Sequence, residues 1–224
     1  MLTRTLLLLA TLSTGAAPQP ALRTADAVVR RLEPAAGQRM RAAFAGAGLK
    51  VGAQRLWLLA FKAERRVELW SAAPGGGRVL VRTWPILAAS GGPGPKLREG
   101  DLQVPEGIYA IDLLNPASAY HLSLRLDYPN AFDRARAAEE GRRRLGGEIF
   151  IHGKAVSIGC IALGDPAIEE LFWLAGTVGT RRFTVLALPH DLRTRAPPGL
   201  PTGPAWASDL YRSLRTELSA FGGR

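Results

Sequence analysis

The chain has 224 residues, of which 47% are hydrophobic and 21% charged, so it is long enough for one sizeable core and short for two. Its formal net charge of +10 favours an anionic partner such as a wall polymer, an acidic membrane surface or nucleic acid. An arginine-rich and alanine-rich composition from a GC-rich genome explains the charge equally well. The basic residues are spread along the chain without a recognised nucleic-acid-binding motif, so no nucleic-acid partner is predicted.

The first residues have the layout of a secretory signal peptide, predicted over 1–17. Arg4 precedes an apolar stretch at 6–12, and small residues fill 13–17. This apolar stretch is shorter than the roughly 20 residues that cross a bilayer. We therefore predict export with cleavage, to the periplasm or the medium, and no stable membrane span afterwards; an uncleaved anchor is the alternative. Cleavage removes Arg4, the one charged side chain of the segment, and leaves a net charge of +9.

Residues 18–52 carry apolar positions at helical spacing, interrupted by Pro34, which predicts two short helices on the flank of the domain. A predominantly β domain over 53–190 follows. Runs rich in β-branched and aromatic residues predict its strands, in chain order, at 55–62, 65–72, 78–86, 107–114, 120–128, 148–153 and 182–189. The first three form an antiparallel meander. The predicted fold class is mainly β with flanking helices.

Helices are also predicted before the last strand and at the C-terminal end. The first covers 165–176, with Asp165 as its N-cap, Pro166 at the first helical position and Gly176 as its stop. Residues 191–224 comprise a Pro/Gly-rich linker, which tethers the end loosely, and an amphipathic helix. The apolar stripe of that helix consists of Trp206, Leu210, Leu214 and Leu218.

The stretch EIFIHGKAVSIGCIALGD, residues 148–165, holds the one cysteine of the chain, Cys160. In an oxidising compartment a single thiol has no intrachain partner, so it is either buried and inert or kept for its reactivity. His152 ends a predicted strand, and the seven intervening residues include Gly153 and Gly159, so the loop can bring the imidazole to the thiol as a base. With the amides of Gly159 and Cys160 as an oxyanion hole, the constellation fits acyl transfer through a thioester. Taken alone, it fits an inert buried cysteine equally well.

The histidines argue against a metal site. Three histidines lie in three separate segments, and the one cysteine has no CxxC partner, whereas zinc sites need three or four protein ligands. No carboxylates complete a ligand set. We therefore predict neither a metal nor a soluble cofactor.

The motifs around this pair resemble the L,D-transpeptidase catalytic domain family, the YkuD type. IHG at 151–153 and SIGCIAL at 157–163 are similar to the family's strand ending in His-Gly and to its Ser-His-Gly-Cys motif. Upstream, GPGPKLREGDLQVPEGIYAI at 92–111 is similar to the family's glycine-rich loop and (T/V)PxG turn. The resemblance covers roughly residues 55–190 and implies a YkuD-like β sandwich or barrel.

Two departures from the family pattern indicate a subgroup. Ile158 stands where the family has the histidine of Ser-His-Gly-Cys, and the loop from His152 to Ser157 is shorter than is usual. Both features, with the segments GPK, EGD, PEGIY and YPNAFDR, resemble the YafK-like subgroup, which keeps the first histidine and the cysteine. Any role that the family gives to the histidine of Ser-His-Gly-Cys cannot be carried over to this chain, because Ile158 stands at that position.

The resemblance implies a role for each matching residue. Cys160 attacks an amide carbonyl of a peptidoglycan stem peptide, while His152 takes up the thiol proton and delivers it to the leaving amine. Gly159 donates its amide to the oxyanion with that of Cys160, the Gly153 carbonyl orients the histidine, and Ser157 holds the loop or contacts substrate. The acceptor stays open: an amine gives a crosslink or attaches a lipoprotein, and water releases a wall-linked lipoprotein. The subgroup features favour water.

Three more side chains are predicted to bind substrate. Lys96, in the loop before VPEG, is assigned to the carboxylates of the stem peptide. Tyr120 and Arg134 are assigned to the wall of the cleft, although the strand pattern favours core packing for Tyr120. The competing functions are a non-catalytic wall-binding module, in which Cys160 is merely packed, and a polyanion-binding protein whose salt-sensitive binding does not depend on Cys160.

Overall fold

The structure is a computed structural model that describes residues 24–222, so the predicted signal peptide at 1–17 lies outside the described residues. The elements in chain order are helix α1 (Ala25–Leu32), a π-helical turn (Glu33–Gly37), helix α2 (Gln38–Gly46), strands β1 (Leu56–Phe61), β2 (Arg66–Ala72), β3 (Arg78–Pro85), β4 (Ala88–Ala89), β5 (Gly107–Tyr109), β6 (Ile111–Asn115) and β7 (Ser123–Leu126), helix α3 (Ala131–Glu139), strands β8 (Phe150–His152) and β9 (Ile161–Ala162), helix α4 (Asp165–Val178), a 3-10 turn (Thr180–Arg182), strand β10 (Phe183–Leu188) and helix α5 (Ala207–Leu218).

The described strands form two five-stranded sheets. Sheet A has the order β3-β2-β1-β10-β5, and sheet B has the order β4-β9-β8-β7-β6. β1, β2 and β3 are the predicted antiparallel meander, and β10 returns parallel to β1 with Phe183 opposite Leu56. Apolar side chains from both sheets share one core with α4 and the N-terminal helices. The protein is therefore a β sandwich with flanking helices, which confirms the predicted fold class.

The predicted strand at 107–114 is two strands that belong to different sheets. β5 pairs with β10 in sheet A, whereas β6 pairs with β7 in sheet B. The break lies at Ala110, whose amide donates to the Asp127 carboxylate at 2.8 Å instead of to a neighbouring strand. One run of strand-forming residues thus crosses from one layer to the other. It links sheet A to sheet B, which carries the site described below.

The N-terminal helices bury one apolar stripe. Its members are four residues apart: Val28, Leu32, Ala36, Met40 and Phe44. The two predicted helices are α1 and α2, and Pro34 lies between them in the π-helical turn, whose wider hydrogen-bond ring accommodates a residue without a backbone donor. Because a π turn rotates the chain less per residue than an α turn, side chains four apart stay on one face through it.

Helix α4 has a different N-cap from the predicted one and ends two residues later than predicted. Its N-cap is Gly164, with φ of 82°, so Asp165 is the first helical residue rather than the cap, and the helix runs past Gly176 to Val178. A Cβ at Gly176 would clash with the side chain of Val29 in α1. The glycine therefore marks the close approach of α1 to α4, not the end of the helix.

Helix α5 covers the outer face of sheet A. Leu210, Leu214 and Leu218 are buried against side chains of β1, β2 and β10, as the predicted stripe requires. Trp206 lies at the partly buried edge of this layer and donates its indole N–H to the Glu140 carboxylate at 2.8 Å. The helix is thus a packed layer rather than a loosely tethered end. None of the helices in the described part of the chain combines the length and apolar character needed to span a bilayer.

Candidate active site

His152 and Cys160 lie on neighbouring segments of sheet B, one at the end of β8 and the other just before its parallel neighbour β9. β8 ends at His152, and Cys160 directly precedes β9, with Ile151 opposite Ile161 in the register. The amide of Phe150, at the start of β8, donates to Cys160 Sγ at 3.4 Å. The fold therefore brings the thiol to the strand that carries the histidine.

The His152 imidazole is held in one tautomer. Its Nδ1 lies 2.6 Å from the Gly153 carbonyl oxygen, and because a carbonyl only accepts, Nδ1 carries the proton and Nε2 keeps its lone pair. No group among residues 24–222 makes a hydrogen bond to Nε2. Burial lowers the pKa of His152, and the Gly153 carbonyl opposes this shift only in part. The ring is therefore neutral at neutral pH, with Nε2 able to accept a proton.

The turn after His152 is too tightly packed for a side chain. A Cβ at Gly153 would lie 2.6 Å from Asp165 Oδ1 and 2.7 Å from the Tyr120 carbonyl oxygen. The same Asp165 carboxylate accepts the Lys154 amide at 2.8 Å. Glycine thus lets the chain turn against α4 while its carbonyl faces the imidazole.

The Cys160 thiol is half-buried and hydrogen-bonded to the backbone of sheet B rather than to His152. Besides accepting from the Phe150 amide, it donates to the Glu148 carbonyl at 3.7 Å. Burial raises the pKa of Cys160, while the Phe150 amide and the Lys96 ammonium oppose the shift. The site therefore holds a protonated thiol and a neutral imidazole, not a thiolate–imidazolium pair.

The amides next to the thiol are bound by serine hydroxyls. Ser157 Oγ accepts from the Cys160 amide at 3.0 Å and donates to the Cys160 carbonyl at 2.6 Å, so its side chain holds the loop. The Gly159 amide donates to Ser90 Oγ at 2.5 Å. The open oxyanion hole expected from the sequence is therefore absent in this conformation of the described residues, because the two amides already donate to the hydroxyls of Ser90 and Ser157.

Lys96, which was assigned to the carboxylates of the stem peptide, is buried and paired within its own loop. Its Nζ pairs with Asp101 Oδ1 at 2.6 Å and donates to the Arg98 carbonyl at 2.9 Å. Burial alone raises the pKa of Asp101, but the Lys96 ammonium and three backbone amides outweigh it and the pKa is lowered. Asp101 holds the lysine within its own loop, and the charge of the Lys96 ammonium opposes the rise in the pKa of Cys160.

Tyr120 and Arg134 both lie at the surface, and only Tyr120 contacts a member of the pair. β7 begins only at Ser123, so Tyr120 belongs to the preceding turn and is 44% exposed, rather than packed in the core as the strand pattern favoured. Its ring contacts the His152 ring with 4.7 Å between centroids. Arg134 is exposed on α3 and lines a depression that includes Glu148. Tyr120 thus borders the imidazole, and Arg134 borders the segment that accepts the thiol hydrogen bond.

Sequence reasoning missed the groups that contact the pair from elsewhere. Ser90 binds an amide sixty-nine residues away, and the backbone of Glu148 and Phe150 binds the thiol; neither contact has a sequence signal. Ile158, beside the cysteine, is 76% exposed. This exposure could be expected from the sequence, because a large apolar side chain in a turn of glycine and serine has no core to join.

A thiol and an imidazole on adjacent strands of a β sandwich, surrounded by backbone donors and acceptors, define the class of domain. Over residues 24–222 no three His, Cys, Asp or Glu side chains are grouped to hold a metal ion. The L,D-transpeptidase catalytic domain family, YkuD, matches residues 55–183, which is more than half of the chain. This protein belongs to that family.

Individual relatives agree with the family. The chain is 38% identical over 119 residues to "Putative L,D-transpeptidase YafK" of Escherichia coli (strain K12), covering 52% of this chain and 46% of that protein, and the figures for Escherichia coli O157:H7 are the same. The chain thus spans about half the length of the curated relatives it matches. The crystal structure of the helical cell shape determining protein Pgp2 from Campylobacter jejuni has a TM-score of 0.50 and 24% identity, covering 62% of this chain and 49% of that one. That likeness shows the fold, and the sequence match confirms the YafK-like resemblance.

Proposed function

We propose that this protein is an exported cysteine acyltransferase or amidase that acts on peptidoglycan stem peptides through a thioester on Cys160. The observation that carries the proposal is the fixed tautomer of His152. With Nδ1 bound to the Gly153 carbonyl at 2.6 Å, Nε2 offers its lone pair on the strand that neighbours the thiol. Family membership and the name of the Escherichia coli relatives support the same chemistry, and the signal-like residues 1–17 support export.

In the first half-reaction, the Cys160 thiol leaves the Glu148 carbonyl and gives its proton to His152 Nε2. The sulfur attacks the carbonyl carbon of a stem-peptide amide, which forms the C–S bond and an oxyanion. As the C–N bond breaks, His152 passes the proton to the departing amine. A thioester and a neutral histidine remain. The directions of the two pKa shifts mean that both groups begin this route uncharged, so the proton moves to His152 as the sulfur attacks rather than before it.

In the second half-reaction, His152 Nε2 takes a proton from the acceptor as the acceptor attacks the thioester. The C–S bond breaks, and His152 returns the proton to the thiolate, which restores the resting pair. An amine acceptor yields a crosslink or an attached lipoprotein. Water yields a free carboxylate, so that hydrolysis leaves a wall-linked lipoprotein detached. The subgroup features favour water, and the choice depends on the acceptor pocket.

The oxyanion needs donors that the resting loop has already engaged. The amides of Gly159 and Cys160 face the hydroxyls of Ser90 and Ser157, so the substrate oxygen has to displace these hydroxyls. Hydrogen bonds to a charged acceptor are roughly twice as strong as neutral ones. The exchange therefore becomes favourable as negative charge develops, and it stabilises the transition state more than the ground state.

A non-catalytic wall-binding module is the alternative that two observations on the thiol favour. The thiol is bonded to the Glu148 carbonyl rather than to His152, and burial raises the pKa of Cys160. Both are properties of an unreactive cysteine. A module of this kind binds peptidoglycan and leaves it chemically unchanged, so the covalent state of the wall separates the two functions.

The deciding experiment is incubation with purified sacculi that carry covalently attached lipoprotein, followed by mass spectrometry of the released muropeptides and protein. Cys160 is the one cysteine of the chain, so complete alkylation with iodoacetamide blocks it selectively and supplies the control. Released lipoprotein that is lost on alkylation supports hydrolysis, and new crosslinks that are lost on alkylation support transpeptidation. Sacculi that stay unchanged but are bound by both samples would make the wall-binding module the function.

The acylation rate is expected to have a broad plateau in pH. Burial lowers the pKa of His152, so the acid limb lies below about pH 6.5, the ordinary value for histidine. Burial raises the pKa of Cys160, so the thiol keeps its proton until above about pH 8.5, the ordinary value for cysteine. The leaving amine needs this proton, so the alkaline limb lies above that value. Single-turnover rates between about pH 5 and about pH 10 measure both limbs. An acid limb above the ordinary histidine value would contradict a neutral resting pair.

A further inference from the structure

The C-terminal helix α5 lies beyond the residues that the family matches, 55–183, yet it is bonded to a segment next to the site. Tyr211 of α5 is 1% exposed, and its hydroxyl donates to Glu106 Oε2 at 2.6 Å. Glu106 is buried to the same degree and lies just before β5. Burial, followed by the Glu106 charge, raises the pKa of Tyr211, so its hydroxyl remains a donor.

The other oxygen of Glu106 holds the loop at 90–104, called here the active-site loop. Oε1 accepts from the Gly94 amide at 3.0 Å and from the Lys62 ammonium at 2.9 Å. Lys62 also donates to the Val104 carbonyl at 3.0 Å. Donors from α5, from the end of β1 and from the active-site loop thus share one buried carboxylate. Since a buried carboxylate oxygen without a donor is costly, loss of one donor weakens the arrangement of the others.

The active-site loop extends this series of hydrogen bonds to the amide before the thiol. Gln103 Nε2 donates to the Gly94 carbonyl at 3.2 Å, which ties the two halves of the loop together. The adjacent Leu102 carbonyl accepts from Ser90 Oγ at 2.7 Å, and Ser90 Oγ accepts from the Gly159 amide at 2.5 Å. The contacts therefore run from α5, through the loop, to the residue that precedes Cys160.

The apolar packing between the active-site loop and the linker that leads to α5 is incomplete. A cavity of about 350 Å³ separates the active-site loop from the linker that leads to α5, with Pro95 and Gln103 on one side and Leu200 and Pro204 on the other. The two segments are loosely packed there. The bond between Tyr211 and Glu106 connects α5 to the carboxylate that holds the loop through the Gly94 amide.

We infer that Tyr211 is a positioning residue, which through Glu106 sets the active-site loop and hence the state of the Gly159 amide. The consequence for activity rests on the proposed function, in which this amide is an oxyanion donor. Leu210 and Leu214 already supply the apolar layer of α5, and a phenylalanine at 211 would fill the same space. The hydroxyl supplies what the ring does not, a donor to the carboxylate.

Amide hydrogen exchange tests the inference without any substrate, because the Gly94 and Gly159 amides are themselves links in the series. In Tyr211→Phe we expect exchange at both amides to accelerate about tenfold. In Ser90→Ala we expect acceleration at Gly159 and not at Gly94. Leu218→Val is the matched control on the same helix, since it trims packing but no bond to Glu106. We expect it to change exchange only as far as it changes global stability.

Two results of the exchange experiment would overturn the inference: unchanged exchange at Gly94 and Gly159 in Tyr211→Phe, or an equal acceleration in Leu218→Val at matched global stability. On sacculi, Tyr211→Phe is expected to lower kcat about tenfold with KM little changed, because the displaced donor acts in the transition state. An unchanged kcat in an otherwise active protein would also contradict it. If Tyr211→Phe accelerates exchange but the protein without the substitution is inactive on sacculi, the proposed function is refuted. The coupling between Tyr211 and the Gly159 amide would still be established.

Discussion

Cys160→Ala is expected to abolish formation of the acyl-enzyme. The variant removes the one thiol of the chain, and the groups that contact it, the Phe150 amide and the Glu148 carbonyl, belong to the backbone and cannot replace a nucleophile. Removal of the nucleophile from a covalent catalyst costs on the order of 10⁶-fold in kcat. Intact-protein mass spectrometry after incubation with stem-peptide muropeptides measures the result: the adduct mass appears in the unmodified protein and is absent from the variant.

Cys160→Ser supplies the control for shape and hydrogen bonding. A hydroxyl at this position retains a donor for Glu148 and an acceptor for Phe150, while it is a far weaker nucleophile without a strong base. We expect both variants to fold, because the contacts of Sγ are long, 3.4 and 3.7 Å, and their loss costs about 1 kcal/mol of unfolding free energy. An acyl adduct on folded Cys160→Ala would place the nucleophile elsewhere and refute the thioester mechanism.

The strands were predictable because their signal is local. Each predicted run contains a strand in the structure, since β-branched and aromatic residues between turn residues mark a strand whatever its partner. The change of layer at Ala110 leaves no such mark, because the run 107–114 looks the same whether or not it changes sheets. β4 and β9 have two residues each and pair only with partners far along the chain. Their formation depends on the assembled sheet.

The local interpretations of Pro34 and Gly176 were incomplete. Pro34 was interpreted as a break between helices, and it lies in a π turn that keeps the buried stripe continuous. Gly176 was interpreted as a helix stop, and it is required by the approach of Val29 from α1. In both cases the residue type indicated an unusual backbone environment correctly. For Gly176 the cause lies in α1, a segment that the local pattern does not contain.

The candidate pair was predictable, but its resting state was not. The glycine-containing loop between His152 and Cys160 predicted that the chain folds back, and the structure places the two residues on neighbouring segments of sheet B. The inward turn of Lys96 depends on Asp101, and the occupied Gly159 amide depends on a hydroxyl sixty-nine residues upstream. These contacts are long-range or depend on the exact path of a loop. Periodicity and motif spacing therefore locate the chemistry, while three-dimensional packing determines which donors are available to it.

His152→Ala is expected to lower the acylation rate by about 10²–10⁴-fold, the usual contribution of a positioned general base. The acid limb of the pH profile is expected to vanish as well, because the group whose protonation produces it has been removed. Alanine leaves a space beneath the Tyr120 ring, which contacts the imidazole at 4.7 Å between centroids. Imidazole added to the buffer is therefore expected to restore part of the rate. Single-turnover acylation, followed by mass spectrometry with and without imidazole, measures both effects.

His121→Gln is the matched control for the loss of an imidazole near the site. His121 Nε2 lies 2.9 Å from the Glu169 carboxylate, and glutamine retains a donor for that contact, so we expect the rate and its acid limb to stay close to those of the unmodified protein. A low rate in His152→Ala that imidazole does not raise would indicate a structural role for the buried ring. An unchanged rate would mean that another group takes the thiol proton, and the fixed tautomer set by Gly153 would then have no part in the chemistry.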